Sequence, residues 1–179
     1  MSSTDAPALV FARGISAVGL GLLAGFQVTI STSSIHTIYQ VPTLAPRDRL
    51  HLWSRIYDNG ASLVIPAIPT LTLILSTAAY FAKAPALWAP GNWIGRHRSA
   101  VLATAAVLVF GNGVWTGLVM LPDIKVMKKM EENIIKDGAE ASGKVDTDTF
   151  IQRWLTRHHF RTLITTSAFI LSVAELACA

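Results

Sequence analysis

The chain has 179 residues, 51% hydrophobic and 15% charged, with a mean hydropathy of +0.45 and a net charge of +4. That balance is too apolar for an ordinary soluble domain. With most of the chain suited to lipid, the positive charge bears on membrane topology, and nucleic-acid binding is excluded as a function class. Cys178 is the only cysteine, which rules out an internal disulfide, and so close to the chain end it is a poor catalytic thiol.

The apolar residues are bunched into four stretches, 9–31, 61–82, 99–121 and 159–177, each close to the roughly 20 helical residues that cross a hydrocarbon core. They predict an all-α, integral membrane four-helix bundle, a single membrane domain over 1–179, with an amphipathic surface helix between the third and fourth spans. The first residues hold an aspartate and no Lys or Arg, and no small-residue cleavage site follows the first apolar run, so a removable signal peptide is not expected.

In the first span, Arg13 is expected to snorkel to the N-terminal surface, because a charge at mid-membrane costs roughly 2.5–3.5 kcal/mol on insertion scales. Ala17, Gly21 and Gly25 repeat every fourth residue, a small-residue seam that lets helices approach closely, and Gly113 and Gly117 repeat it in the third span. Residues 32–59 read as a connection. It opens on a Ser/Thr run, holds Pro42 and Pro46, becomes helix-like over 48–57 and breaks at Asp58-Asn59-Gly60, where Asp58 or Asn59 could cap the second span.

Pro66 and Pro69 predict that the second span kinks or widens, either beside a cavity or as a plain bend. The connection 84–97 carries Trp88 and Trp93 as interfacial anchors and His97 as a headgroup contact. Asn112 is a polar amide within the third span. Burying it unpaired would cost roughly 2–7 kcal/mol, so it needs an interhelical hydrogen bond or a substrate. Trp115 shares its face and could wall an aromatic pocket or pack in the core.

After Pro122, the residues Ile124, Met127, Met130 and Ile134 recur at helical spacing against lysines and glutamates, predicting the amphipathic helix over 123–136. A polar loop over 139–148 follows, and Thr147 or Asp148 is placed to cap the last helix. Glu175 lies near enough to the chain end to reach water. The first and third connections hold Arg47, Arg49, Arg55, Lys125, Lys128, Lys129, Lys136, Lys144, Arg153 and Arg157, and the second holds Lys83, Arg96 and Arg98. Ten against three places the first and third connections on the cytosolic side.

Since the spans alternate direction, His36, His51, Arg55, Tyr57, Asp58, Asn59, Asn112, Trp115, Asp123, Trp154, His158, His159 and Arg161 are all predicted to meet at one face. Trp154, His158 and Arg161 stand at i, i+4 and i+7, on one side of a helix. An imidazole there could be a general base and a guanidinium could hold an oxyanion, or both could merely snorkel to headgroups. His36, His51, His158 and His159 are the metal candidates, three of them with a carboxylate making an iron or copper site. Yet adjacent His158 and His159 point about 100° apart on a helix, and no His-x3-His spacing is present.

The run Trp53-Ser54-Arg55-Ile56-Tyr57-Asp58-Asn59-Gly60, Pro122 after the third span, and Trp154-x3-His158-x2-Arg161 before the fourth resemble the anthrone oxygenase family of small four-span membrane proteins. Many relatives have an Asn shortly after that proline, where this chain has Asp123-Ile124. The resemblance implies oxidation of a tricyclic anthrone to the anthraquinone by molecular oxygen, in fungal polyketide pathways.

Residues and resemblance together point to His158, Arg161 and Trp154 as catalytic. Asn112, Trp115, Tyr57, Arg55, Asp58 and His51 are the candidate substrate contacts. Molecular oxygen would be co-substrate, with no organic cofactor and the metal question open. The expected partners are a small aromatic polyketide and the bilayer, in an intracellular membrane such as the endoplasmic reticulum, and a homo-oligomer is open. The alternative is a non-catalytic scaffold or hydrophobic-ligand carrier that docks through the 123–136 helix.

Overall fold

The computed structural model describes residues 6–82, 93–137 and 147–178. The expectations for the first five residues, for 83–92 with Trp88, and for most of the polar loop lie outside them. Every regular element among the described residues is helical. In chain order these are α1 (Pro7–Thr29), a π-helical turn (Ile30–Ser34), α2 (Ile35–Gln40), α3 (Pro46–Phe81), α4 (Trp93–Arg96), α5 (Arg98–Trp115), a second π-helical turn (Thr116–Met120), α6 (Leu121–Asp137) and α7 (Thr147–Ala177).

These join into four helices long and apolar enough to cross a membrane: Pro7–Gln40, Pro46–Phe81, Arg98–Lys136 and Thr147–Ala177. Large apolar side chains such as Phe11, Leu22, Ile65, Val107 and Leu118 are exposed along them, a surface suited to lipid rather than water. The helices outrun the apolar stretches, and the hydroxyls there are satisfied by the helix itself. At the end of the predicted first span and in the stretch read as a connection, Ser31, Thr32 and Thr37 donate their hydroxyls to the carbonyls of Gln27, Val28 and Ser33, four residues back. The real break is the stretch 41–45.

The expected cap at Asp58 or Asn59 is also replaced by continuous helix. Gly60 packs against the first long helix, where a Cβ on it would stand 3.4 Å from Phe26 and Ile30 side-chain atoms, an ordinary contact. Pro66 and Pro69 lie inside α3 without ending it.

The chain forms two compact units, each drawing on all four long helices. The first comprises Met1–Gly25, Ile65–Gly113 and Leu163–Ala179. Its core holds Leu20, Leu75, Leu102 and Ala168. Arg13 and Glu175 do not reach for water as expected. Arg13 Nε and Arg98 Nε each donate to Glu175 at 2.8 Å, and all three side chains are at most 3% exposed. Arg98, counted above among loop charges, is therefore a core residue. Sequence proximity cannot reveal such a pairing, since the partners lie 162 and 77 residues apart.

Within this unit Gly21 lets Phe169 approach, with a built Cβ at 2.9 Å from the ring, and Gly19 does the same for Leu71. Gly113 likewise admits Ile68, which a Cβ would meet at 3.1 Å, whereas Gly25 and Gly117 have nothing within 4 Å of a Cβ, so the predicted seam is correct at Gly21 and Gly113 and wrong at those two. Thr72, Ser76, Ala103 and Phe110 are among the residues lining an open surface groove of about 310 Å³.

The second unit comprises Phe26–Val64 and Val114–Thr162. Ile30, Ile35, Ile38, Leu50, Trp53, Met120, Ile124, Met127, Ile151 and Trp154 form its core. The amphipathic helix expected after Pro122 exists as α6, continuing the third long helix, and its apolar stripe packs on this core. Ile124 and Met127 are thus spent within the chain, while Val126 and Ile135 of the same helix stay exposed.

Candidate active site

The second unit gathers the polar side chains of interest, and α7 supplies its axis. Trp154, His158 and Arg161, spaced as one helical face, are 3%, 2% and 6% exposed, so that face turns inward. The His158 ring stacks on Trp154 with centroids 4.7 Å apart and planes 17° from parallel. Trp154 meets Trp53 edge-on at 5.7 Å, and Trp53 stacks on Tyr57 at 5.6 Å. Lys128 Nζ then sits 5.6 Å from the Tyr57 ring centroid. The result is a continuous aromatic column from Tyr57 to the imidazole, each contact adding about 0.5–1.5 kcal/mol beyond area burial.

The imidazole has a defined polarity. His158 Nε2 lies 3.3 Å from the backbone carbonyl of Gln27, and because a carbonyl only accepts, Nε2 is the nitrogen that carries hydrogen. Nδ1 is then left with its lone pair, buried and without a partner among the described residues. Arg161 and Tyr57 are electrostatic neighbours, as are Arg161 and His158. A base lone pair, a guanidinium and stacked aromatic faces therefore occupy one buried region.

Gln27 was missed in the sequence. It lies in the first apolar stretch, so Asn112 is not the one amide within a span. The Gln27 side chain is fully buried, and neither its nitrogen nor its oxygen has a partner among the described residues. Its carbonyl accepts from both Ser31 Oγ at 3.0 Å and His158. The first π-helical turn begins three residues later, and the second begins directly after Trp115. Such turns are rare and frequent at functional sites.

The remaining candidates are distributed as follows. Trp115 is partly buried and meets Phe160 with ring centroids 4.5 Å apart. Asn112 belongs to the first unit, where its amide nitrogen donates to Thr165 Oγ1 at 2.7 Å, the interhelical alternative. Arg55 is exposed. His51 and Asp58 join a polar clamp linking α3 to α6: His51 Nδ1 donates to Glu131 at 2.8 Å, Ser54 also donates to Glu131, and Lys128 pairs with Asp58 at 2.7 Å. Asp123 accepts from Arg157 Nη1 at 2.7 Å.

Asp148 serves as a partner of Arg49 at 2.5 Å and of the Tyr39 hydroxyl at 3.4 Å. Among the described residues no three His, Cys, Asp or Glu side chains come close enough to share a metal. His36 and His159 instead line an open groove of about 420 Å³ with Ser31, Tyr39 and Gln152.

A family model for anthrone oxygenase matches residues 53–171. The chain belongs to the anthrone oxygenase family. The match takes in the Trp53 to Tyr57 stack and the whole Trp154, His158, Arg161 face, and it leaves out Gln27. No curated protein and no solved structure matches the chain.

Proposed function

We propose that this anthrone oxygenase family member converts an anthrone to the corresponding anthraquinone with molecular oxygen, using the buried lone pair of His158 Nδ1 as the base. The observation that carries the reading is that imidazole: its hydrogen is committed to the Gln27 carbonyl, its other nitrogen is shielded from solvent without a partner among the described residues, and Arg161, on the same face of α7, is buried with it.

An anthrone has an acidic methylene opposite its ketone. His158 removes one methylene proton, and the electron pair moves through the ring system onto the ketone oxygen, where Arg161 stabilises the anthrolate. The anthrolate reduces molecular oxygen and forms a carbon–oxygen bond at the former methylene, giving a hydroperoxide once a proton is returned. Loss of the second hydrogen with cleavage of the O–O bond leaves the new ketone and one water. One oxygen atom enters the product, the other leaves as water, and His158 ends as it began.

Trp154, stacked on His158, and Trp53, stacked on Tyr57, hold the base in a fixed orientation, and burial keeps water from competing. The substrate is a small aromatic polyketide that partitions through the bilayer, the reading invokes no organic cofactor, and an intracellular membrane such as the endoplasmic reticulum is the setting. Incubation of protein-containing membranes with an anthrone under labelled oxygen tests this. One labelled atom per anthraquinone, formed faster than in protein-free membranes, is expected; a rate no higher than that background overturns the reading.

A further inference from the structure

His36 and His159 take no part in the chemistry proposed above, yet both line the open groove of about 420 Å³ in the second unit, a volume within the roughly 300–1,000 Å³ of small-molecule sites. Its inner end lies at Ser31 and His159, where the first and fourth apolar stretches meet polar sequence. From there it runs past Ile35, His36 and Leu155 to Tyr39 and Gln152, seven or eight residues along each helix, or about 10–12 Å. The groove therefore leads from the edge of the hydrocarbon into the polar interfacial layer.

The lining limits what the groove can hold. Ile35 and Leu155 give apolar contact, while two imidazoles and the Tyr39 ring offer flat faces for stacking. The polar atoms belong to imidazole, amide and hydroxyl groups. No lysine or arginine lines the groove among the described residues, and Arg49, over the Tyr39 ring, has its charge engaged by Asp148. A phosphate headgroup would find no permanent cation there, whereas a flat aromatic ketone has faces to stack and oxygens to accept hydrogen bonds.

The groove also touches the support of the base. Ser31 Oγ, in its lining, donates to the Gln27 carbonyl at 3.0 Å, and the same carbonyl accepts from His158 Nε2 at 3.3 Å. One backbone carbonyl thus links the inner end of the groove to the buried imidazole. Ser31 belongs to the π-helical turn Ile30–Ser34, a feature frequent at functional sites. Resting on the reaction proposed above, we infer that this groove is a docking site where a flat aromatic ketone leaves the bilayer on its way to His158, with His36 and His159 as substrate-binding residues.

Its test reads occupancy without catalysis. Gln152→Cys in a Cys178→Ser background is labelled in membranes with a polar maleimide, with and without 1,8-dihydroxyanthraquinone, which the reaction does not consume. Ile135→Cys, at an exposed position of α6, is the control. Saturating quinone should slow labelling at position 152 by about threefold or more, leave position 135 unchanged, and lose its effect when His36→Ala and His159→Ala are added. The same pair of replacements should lower kcat/KM for an anthrone about tenfold, mostly through KM. No slowing at position 152, equal slowing at both positions, or protection that survives loss of both histidines overturns the inference while the reaction stands on its own assay. Site-selective protection in a protein that fails to oxidise anthrone overturns the reaction and keeps the docking site.

Discussion

The rings of Trp154 and His158, one helical turn apart on α7, lie 4.7 Å apart and 17° from parallel. The indole fixes the plane in which the imidazole holds its lone pair, and Trp53 braces the indole from its edge. Trp154→Phe should keep an aromatic face and most of the activity. Trp154→Ala should lower kcat by about tenfold or more through loss of orientation and destabilise the protein by about 3–5 kcal/mol. Steady-state rates and thermal unfolding in detergent would measure both; equal rates for the two variants would show that the stack does not position the base.

The buried Arg13, Glu175 and Arg98 set makes a prediction about stability. Glu175→Gln removes the buried carboxylate charge that both guanidinium groups share and should cost about 3–5 kcal/mol. The triple replacement Arg13→Met, Glu175→Leu, Arg98→Met should be far less harmful than the single change, since apolar residues of similar volume escape the desolvation cost. Unfolding midpoints in one detergent would compare them, and a triple variant less stable than Glu175→Gln would contradict this.

Two glycines of the first span should respond in opposite directions. Gly25→Ala meets nothing within 4 Å and should be neutral or stabilising by up to about 1 kcal/mol, from the entropy of a helical glycine. Gly21→Val must displace the Phe169 ring, which a Cβ alone would meet at 2.9 Å, and should cost about 1–3 kcal/mol by overpacking. Unfolding midpoints falling in the same direction for both would show that the helices adjust freely.

Asp123 and Arg157 form a clamp between α6 and α7 at 2.7 Å. Asp123→Asn keeps an acceptor for the guanidinium and should retain most activity. Asp123→Ala removes the acceptor from a mostly buried carboxylate and should destabilise by about 1–3 kcal/mol. Rates and unfolding of the two variants would separate a structural clamp from a chemical role, and a large loss of kcat in a stable Asp123→Asn protein would indicate the latter.

The inward face of α7 was legible because three large polar side chains at i, i+4 and i+7 before an apolar run admit few arrangements. The four long helices and the buried stripe of α6 followed from periodicity in the same way. What stayed hidden depended on distant partners. Arg13 and Glu175 read as snorkelling groups until each is seen opposite the other. The Ser/Thr run read as a loop because its hydroxyls bond backward along a helix. Gln27 was overlooked inside an apolar stretch, although a lone amide there carries the same burial cost that singled out Asn112. His51 and Asp58 share a helix with Tyr57 but point into the Glu131 and Lys128 clamp, a difference that only the partner helix reveals.

The proposed reaction depends on His158 as the base. Its most direct test is the rate of anthrone consumption by His158→Ala protein in membranes, with Arg161→Ala alongside and protein-free membranes as background. Removal of a general base predicts a fall in kcat of about 10²- to 10⁴-fold for His158→Ala, with a large loss for Arg161→Ala. Wild-type rates in both variants would contradict the account.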